Sequence, residues 1–123
     1  MRVAGVGFRA GASAAALTEA VQAAAGVAGV RPEALATLPE KAGAAVLCAV
    51  AGQMALPVLA VQVAGVVTPT RSARIAARFG TGSVAEAAAL AAAGPGAVLI
   101  AGRQVSADGM ATAAMAEGRG LQA

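Results

Sequence analysis

Apolar residues lie along the chain in short blocks, and their spacing alternates between that of a buried strand and that of a helix. Residues 3–7 form a continuous apolar run, which is typical of a buried strand. After a glycine-bearing turn, Ser13 can cap a helix, and apolar positions then recur every three or four residues: Leu17, Val21, Ala24 and Ala28. The chain therefore opens with a strand followed by a helix.

The same order continues toward the middle of the chain. Residues 35–38 are short and apolar enough for a second strand. A second helix is predicted over residues 40–54, where apolar side chains recur at helical spacing: Val46, Val50 and Met54. Pro57 ends this helix, and the β-branched stretch 58–63 predicts a third strand.

The second half begins with a turn at residues 68–70 and a predicted helix that has one basic face: Arg71, Arg74 and Arg78. Ser83-Val84-Ala85-Glu86 matches a capping box, in which the serine oxygen accepts the Glu86 N–H and the carboxylate returns to the cap amide. The helix that it starts runs through Ala93. Residues 97–100 are the most strand-like stretch, and residues 110–116 are their predicted partner strand.

This alternation predicts a single α/β domain over residues 1–117, a three-layer sandwich with a mostly parallel central sheet. We expect the last strand to be antiparallel at an edge, and residues 118–123 to form a loose C-terminal tail. Ligands of such sheets bind beyond the carboxyl ends of the strands. That rule indicates one rim, built from residues 7–13, 37–41, 67–71 and 102–106.

The amino-acid composition limits the kinds of catalytic and binding site that this chain can form. The chain has no His, Trp or Tyr and a single Cys, which excludes histidine-based catalysis, histidine-ligated metals and disulfides. We therefore identify no catalytic residue and expect no metal site or resident cofactor. The chain has nine basic and six acidic residues, and every basic residue except Lys41 is an arginine. This excess of arginine favours binding of carboxylates or phosphates.

Residues 42–70 contain no charged side chain and raise the question of a membrane span. Three glycines, two glutamines and Pro57 interrupt this stretch, so we expect no spanning helix. At the N-terminus, Arg9 cuts the apolar run too short for a signal peptide. The lone Cys48 agrees with a reducing compartment, and the cytoplasm is the expected location.

The segment Gly5-Val6-Gly7-Phe8-Arg9-Ala10-Gly11 lies between a predicted strand and a capped helix, where backbone amides hold anions. Arg9 in this loop favours an anion site over a plain tight turn. The glycine spacing departs from the dinucleotide fingerprint, and a nucleotide-binding module is kept as the alternative function. Nucleic acid is not expected, because a net charge of +3 is small and only two aromatic residues are present.

Other candidate residues have ordinary structural explanations. Ser83 and Glu86 fit the capping box, although Glu86 could act as an acid or base. Asp108 fits a turn, and Cys48 is expected to be a small buried residue. Lys41, the only Lys, could serve as a nucleophile if it were desolvated, but we expect it to be exposed.

Four motifs together resemble the CobE/CbiG C-terminal domain family of cobalamin biosynthesis, most closely its stand-alone CobE form. They are Gly5-x-Gly7-x-Arg9-x-Gly11-x-Ser13, Ala36-Thr37 followed by Lys41, Gly80-x-x-Ser83-Val84-Ala85-Glu86-Ala87-Ala88-Ala89-Leu90, and Arg103-Gln104 followed by Thr112-x-Ala114. The resemblance implies a small α/β protein that binds or helps process a precorrin-type intermediate. Longer relatives are associated with opening a ring-A lactone. Arg103 stands where the family usually has Lys.

Precorrins carry acetate and propionate groups around an apolar ring, so the resemblance implies tetrapyrrole binding by Arg–carboxylate pairs. Arg9 and the amides near Gly11 are assigned to one carboxylate, Arg71 or Arg74 to another and Arg103 to a third. The full predicted ligand site is Gly7, Arg9, Gly11, Ser13, Arg71, Ser83, Glu86 and Arg103. Any metal would arrive inside the ring. A third hypothesis is a subunit that needs a partner, either in a homodimer or with other corrin-pathway enzymes.

Overall fold

The computed structural model describes residues 1–66, residue 68 and residues 83–120. Within these residues five strands and three helices follow one another: β1 (Arg2–Phe8), α1 (Ala14–Ala28), β2 (Ala34–Thr37), α2 (Ala45–Met54), β3 (Val58–Ala60), α3 (Val84–Ala93), β4 (Val98–Val105) and β5 (Ala111–Glu117). The predicted arginine-bearing helix, with Arg71, Arg74 and Arg78, lies outside the described residues.

The five strands form one sheet in the order β3-β2-β1-β5-β4. β1 pairs in parallel with β2 and β2 with β3, whereas β5 is antiparallel to both β1 and β4. Strands β1 to β4 therefore all point the same way, which confirms the α/β fold with a mostly parallel core. The predicted edge position of the antiparallel strand is wrong. β5 is buried along almost its whole length, and a strand covered on both faces belongs inside a sheet.

Helices cover both faces of the sheet, as the three-layer prediction requires. On one face, α1 and α2 pack against β1, β2 and β5 through a core that includes Val6, Leu17, Leu35 and Met115. On the other face, α3 packs against Val3, Ala36 and Ala116 almost entirely through alanines. Because alanines keep the layers close, this second core depends on short distances between backbones rather than on large side chains.

Helix α1 begins where the sequence predicts, since the Ser13 Oγ accepts the Ala16 N–H at 3.0 Å. Helix α2 begins at Ala45 instead of residue 40, because residues 39–43 form turns. Its buried face is consequently formed by Leu47, Val50 and Ala51. Cys48 is exposed on the opposite side, and its predicted burial is wrong.

The chain ends are hydrogen-bonded to the body. The Gly118 N–H donates to the Met1 carbonyl at 3.0 Å, and the Gly120 N–H donates to the Ala93 carbonyl at 2.6 Å. The start of the predicted tail is thus attached to the sheet and to α3, and residues 121–123 lie outside the described part of the chain. No helix in the described ranges has the length and apolar character needed to cross a membrane.

Ser106 and Asp108 hold the turn between β4 and β5. The Ser106 hydroxyl donates to Asp108 Oδ1 at 2.6 Å, and Oδ1 also accepts the Met110 N–H at 3.0 Å. The Ser106 Oγ in turn accepts the Ala111 N–H at 3.1 Å. The hydrogen bond from Ser106, followed by that from Met110, lowers the pKa of Asp108 below its ordinary value.

This lowered pKa predicts a contribution to stability that depends on pH. A carboxyl whose pKa is lower in the folded state stabilises the fold above its unfolded pKa, and this contribution disappears as pH falls through the folded value. We expect Asp108→Asn to lose less stability on acidification than the wild type, measured as urea midpoints between about pH 5 and pH 2. Glu40→Gln, which removes an exposed carboxyl, is the control. Identical acid profiles for the wild type and Asp108→Asn would contradict the prediction.

Candidate functional site

The carboxyl ends of β1, β2 and β4 lie at one edge of the sheet, because these strands run in the same direction. The first turn of α3 lies at the same edge, since a Cβ placed on Gly7 would be 3.8 Å from the Val84 side chain. We call this region the carboxyl edge, formed by residues 7–13, 37–41, 83–86 and 102–106. Ligands of α/β sheets bind in this position.

Arg9 lies in the loop that joins β1 to α1. Its backbone N–H donates to the Met110 carbonyl at 2.9 Å, and its carbonyl accepts the Ala12 N–H at 3.0 Å, so the loop is a closed turn. Gly11 adopts a φ of +87° there, a left-handed conformation that glycine adopts without strain. The Arg9 side chain is exposed, and no carboxylate among the described residues lies within salt-bridge distance of it.

Lys41 lies next to Phe8, half-buried instead of exposed as expected. Its Nζ donates to the Phe8 carbonyl at 3.2 Å and lies 5.1 Å from the centre of the Phe8 ring, within the range of a cation–π contact. Lys41 belongs to the rim predicted over residues 37–41, but the predicted ligand set does not include it. Lys41 follows β2, which ends at the same edge as β1, and this position is the feature of the sequence that indicates a place in the site.

Three consecutive carbonyls at the end of β1 accept hydrogen bonds from side chains of other segments. The buried Thr37 hydroxyl donates to the Val6 carbonyl at 2.9 Å, and the Thr112 hydroxyl donates to the Gly7 carbonyl at 3.3 Å. Lys41 binds the third carbonyl, that of Phe8. The end of β1 is therefore fixed by β2, β5 and the turn after β2, and its exposed side chains start from a rigid base.

On the α3 side of the edge, Ser83 and Glu86 are both buried. The Ser83 Oγ accepts the Glu86 N–H at 3.4 Å, which confirms this half of the capping box. The Glu86 carboxylate reaches β4, where its Oε2 accepts the Arg103 N–H at 3.1 Å. The Arg103 side chain is exposed, and no carboxylate of the described residues forms an ion pair with it.

Seven of the eight predicted site residues thus lie at the carboxyl edge: Gly7, Arg9, Gly11, Ser13, Ser83, Glu86 and Arg103. Arg71 lies outside the described residues. Arg9 directly follows β1 and Arg103 lies within β4, and these two strands flank β5. The two residues are also offset along the strands, because the Arg9 N–H bonds to Met110 whereas Arg103 lies between the Ala101–Met115 and Gln104–Ala113 pairs. The structure places both guanidinium-bearing segments at one edge, and the ligand role of each residue stays a prediction.

A shallow groove of about 470 Å³ lies between α1 and α2 and begins at Ala14, directly after Ser13 of the carboxyl edge. Its lining residues are Ala14, Ala15, Thr18, Glu19, Gln22 and Gln53. Glu19 is the only charged residue among them, and a carboxylate repels an anionic ligand. The groove therefore does not match the predicted anion site. In the described ranges no cluster of three His, Cys, Asp or Glu side chains could hold a metal ion.

Comparison with known proteins agrees with this geometry. The family model described as "Cobalamin synthesis G C-terminus" matches residues 2–116. The crystal structure of CobE, a protein from the cobalamin (vitamin B12) biosynthetic pathway, is 29% identical with a TM-score of 0.78, over 94% of this chain and 89% of that one. The cobalamin biosynthesis protein chiG from Agrobacterium tumefaciens str. C58 is 38% identical with a TM-score of 0.71, over 96% and 98%. No curated protein matches the chain.

Proposed function

Since the chain belongs to the cobalamin synthesis G C-terminus family, whose members act in cobalamin biosynthesis, we propose that it binds a corrin-ring intermediate through the ligand's carboxylates. The observation that carries this proposal is the pair of exposed arginines at the carboxyl edge. Arg9 follows β1 and Arg103 lies in β4, the two strands that flank β5, and neither exposed side chain forms an ion pair with a carboxylate of the described residues. Two such cations are suited to an anion from solution.

The carboxylates of a corrin-ring intermediate are suitable partners for the arginine side chains of this edge. Precorrin-type rings carry acetate and propionate arms around an apolar macrocycle, and a guanidinium can bind a carboxylate through two parallel hydrogen bonds. A hydrogen bond to a charged group contributes about 1.5–3 kcal/mol net of the lost hydration. The half-buried Phe8 ring offers an apolar surface beside Arg9. The edge thus combines cationic and apolar groups, as a carboxylate-bearing ring requires.

Lys41 supplies a further cation to the proposed site. Its ammonium group has three protons, and its hydrogen bond to the Phe8 carbonyl uses one of them. The other protons remain available to a ligand carboxylate placed above Phe8. Lys41 therefore extends the predicted site, and the role assigned to Arg71 stays a prediction from the sequence.

The proposal is tested by titrating the protein with hydrogenobyrinic acid and following the visible absorbance of the corrin. We expect saturable binding with a Kd in the range of tens of micromolar or below, which corresponds to about 6 kcal/mol or more. The fully esterified corrin, which keeps the ring but loses the charges, is expected to bind at least tenfold more weakly. Equal binding of acid and ester would overturn carboxylate pairing, and binding of ATP alone would favour the nucleotide-binding alternative.

Replacing Lys41 with methionine tests its part in binding. Methionine keeps most of the apolar stem but cannot donate to a carboxylate, so we expect about fivefold weaker binding of hydrogenobyrinic acid, equivalent to about 1 kcal/mol. Lys41→Arg retains the charge and is the matched control, with affinity close to that of the wild type. Loss of affinity in both variants, or in neither, would remove Lys41 from the site.

A further inference from the structure

Strand β4 contains two extra residues relative to β5, one at Ile100 and one beside Arg103. Ala101 pairs with Met115, and the next pair along the two strands is Gln104 with Ala113. Three steps along β4 therefore match two steps along β5, which defines a β-bulge that contains Gly102 and Arg103. Bulges bend a strand and redirect its side chains, and they are common next to functional sites.

A bulge interrupts the ladder and leaves backbone groups that need other partners. At this bulge the Arg103 N–H donates to the Glu86 Oε2 at 3.1 Å, across 17 residues of sequence. The same oxygen lies 3.6 Å from the position that a Cβ on Gly102 would occupy. The Glu86 carboxylate thus lies directly beneath both residues of the bulge.

Glu86 has no exposed surface, and it is the only acidic residue buried in the described part of the chain. Burying a carboxylate is costly unless hydrogen bonds compensate for the lost water. Every other residue of α3 is alanine, leucine or valine, so packing alone does not require an acid at this position. The capping box explains why the Glu86 N–H donates to the Ser83 Oγ. It does not explain why the Glu86 Oε2 accepts a hydrogen bond from Arg103 in β4.

We infer that Glu86 is a positioning residue: it holds the Gly102–Arg103 bulge in place and so keeps the Arg103 guanidinium at the carboxyl edge for a ligand carboxylate. This inference rests on the proposed function. It also revises the direct ligand contact expected for Glu86, because a carboxylate with no exposed surface acts through the Arg103 backbone. A negative group at the start of α3 further gains from the helix dipole, which compensates part of its burial.

Four variants test the inference: Glu86→Ala, Glu86→Gln, Arg103→Ala and the double variant Glu86→Ala with Arg103→Ala. Hydrogenobyrinic acid is the probe for affinity, and hydrogen exchange of the Arg103 amide reports on the bulge. Glutamine can accept the same N–H through its amide oxygen. We expect Glu86→Gln to bind within about twofold of the wild type, and Glu86→Ala to bind about tenfold more weakly with a faster-exchanging Arg103 amide.

The double variant separates positioning from general destabilisation. If Glu86 acts through Arg103, the double variant binds no more weakly than Arg103→Ala alone, because contacting residues are not additive. Ala92→Gly, which weakens α3 at its other end, is the control and leaves affinity unchanged.

Additive losses in the double variant, or unchanged Arg103 exchange in Glu86→Ala, would overturn the inference and leave the proposed function standing. An equal loss of affinity in Glu86→Gln and Glu86→Ala would also overturn the inference. Affinity would then not depend on a side-chain oxygen that accepts the Arg103 N–H. A wild-type chain that does not bind the probe would overturn both proposals.

Discussion

Gly5→Ala is expected to lower the free energy of unfolding by about 3 kcal/mol or more, because overpacking against backbone cannot relax by rotation of a side chain. A Cβ on Gly5 would lie 2.0 Å from the Ala85 carbonyl oxygen and 2.4 Å from the Ala89 nitrogen. Helix α3 would have to move away from β1, and its alanine-based packing would loosen with it. Urea denaturation followed by circular dichroism measures the change.

Gly26→Ala is the matched control for this prediction. Gly26 lies within α1, and an added Cβ there would meet no atom within 4 Å. The substitution should raise stability by about 0.5–1 kcal/mol, because alanine restricts the unfolded chain and favours helix. Similar effects of the two substitutions would contradict the close approach of α3 to β1.

Removing both exposed arginines of the carboxyl edge is expected to have the second large effect. If each contributes about 1–3 kcal/mol, Arg9→Ala with Arg103→Ala should weaken hydrogenobyrinic acid binding by about 2 kcal/mol or more, at least thirtyfold. The physical reason is the loss of two charge-assisted pairs with ligand carboxylates. Absorbance titration at fixed ionic strength measures the affinity, because screening by salt changes such interactions.

Arg31→Ala with Arg119→Ala is the control for charge alone. Both residues are exposed, and they flank β2 and β5 at the end of the sheet opposite the carboxyl edge. This pair lowers the net charge by the same two units and should change affinity by less than threefold. An equal loss in both double variants would show that net charge, rather than the carboxyl edge, determines binding.

The sequence predicts those parts of the fold whose signals are local. The apolar run of β1, the Ser13 cap and the Ser83 cap each depend on neighbouring residues, and the structure confirms them. The place of β5 could not be predicted, because alanines suit either an edge or an interior strand. The start of α2 was missed for a similar reason, since Glu40, Lys41 and Ala42 have helical propensity but lie in turns.

The sequence predicts which edge of the sheet carries the site, but not the contacts between the residues there. Arg9 and Arg103 follow from the rule that ligands bind at the carboxyl ends of parallel strands. The contact of Lys41 with Phe8 and the bond from Arg103 to Glu86 join residues that are 33 and 17 positions apart. Such contacts depend on strand register and on a bulge, which a single sequence does not reveal.

Chemical-shift mapping of the isotope-labelled protein with hydrogenobyrinic acid locates the ligand on the sheet. If the corrin binds at the carboxyl edge, the largest amide shifts cluster at Phe8, Arg9, Lys41 and Arg103 and saturate with the absorbance titration. Shifts centred on Thr18 and Gln22, in the groove between α1 and α2, would contradict binding at the carboxyl edge, as would a spectrum that the corrin leaves unchanged.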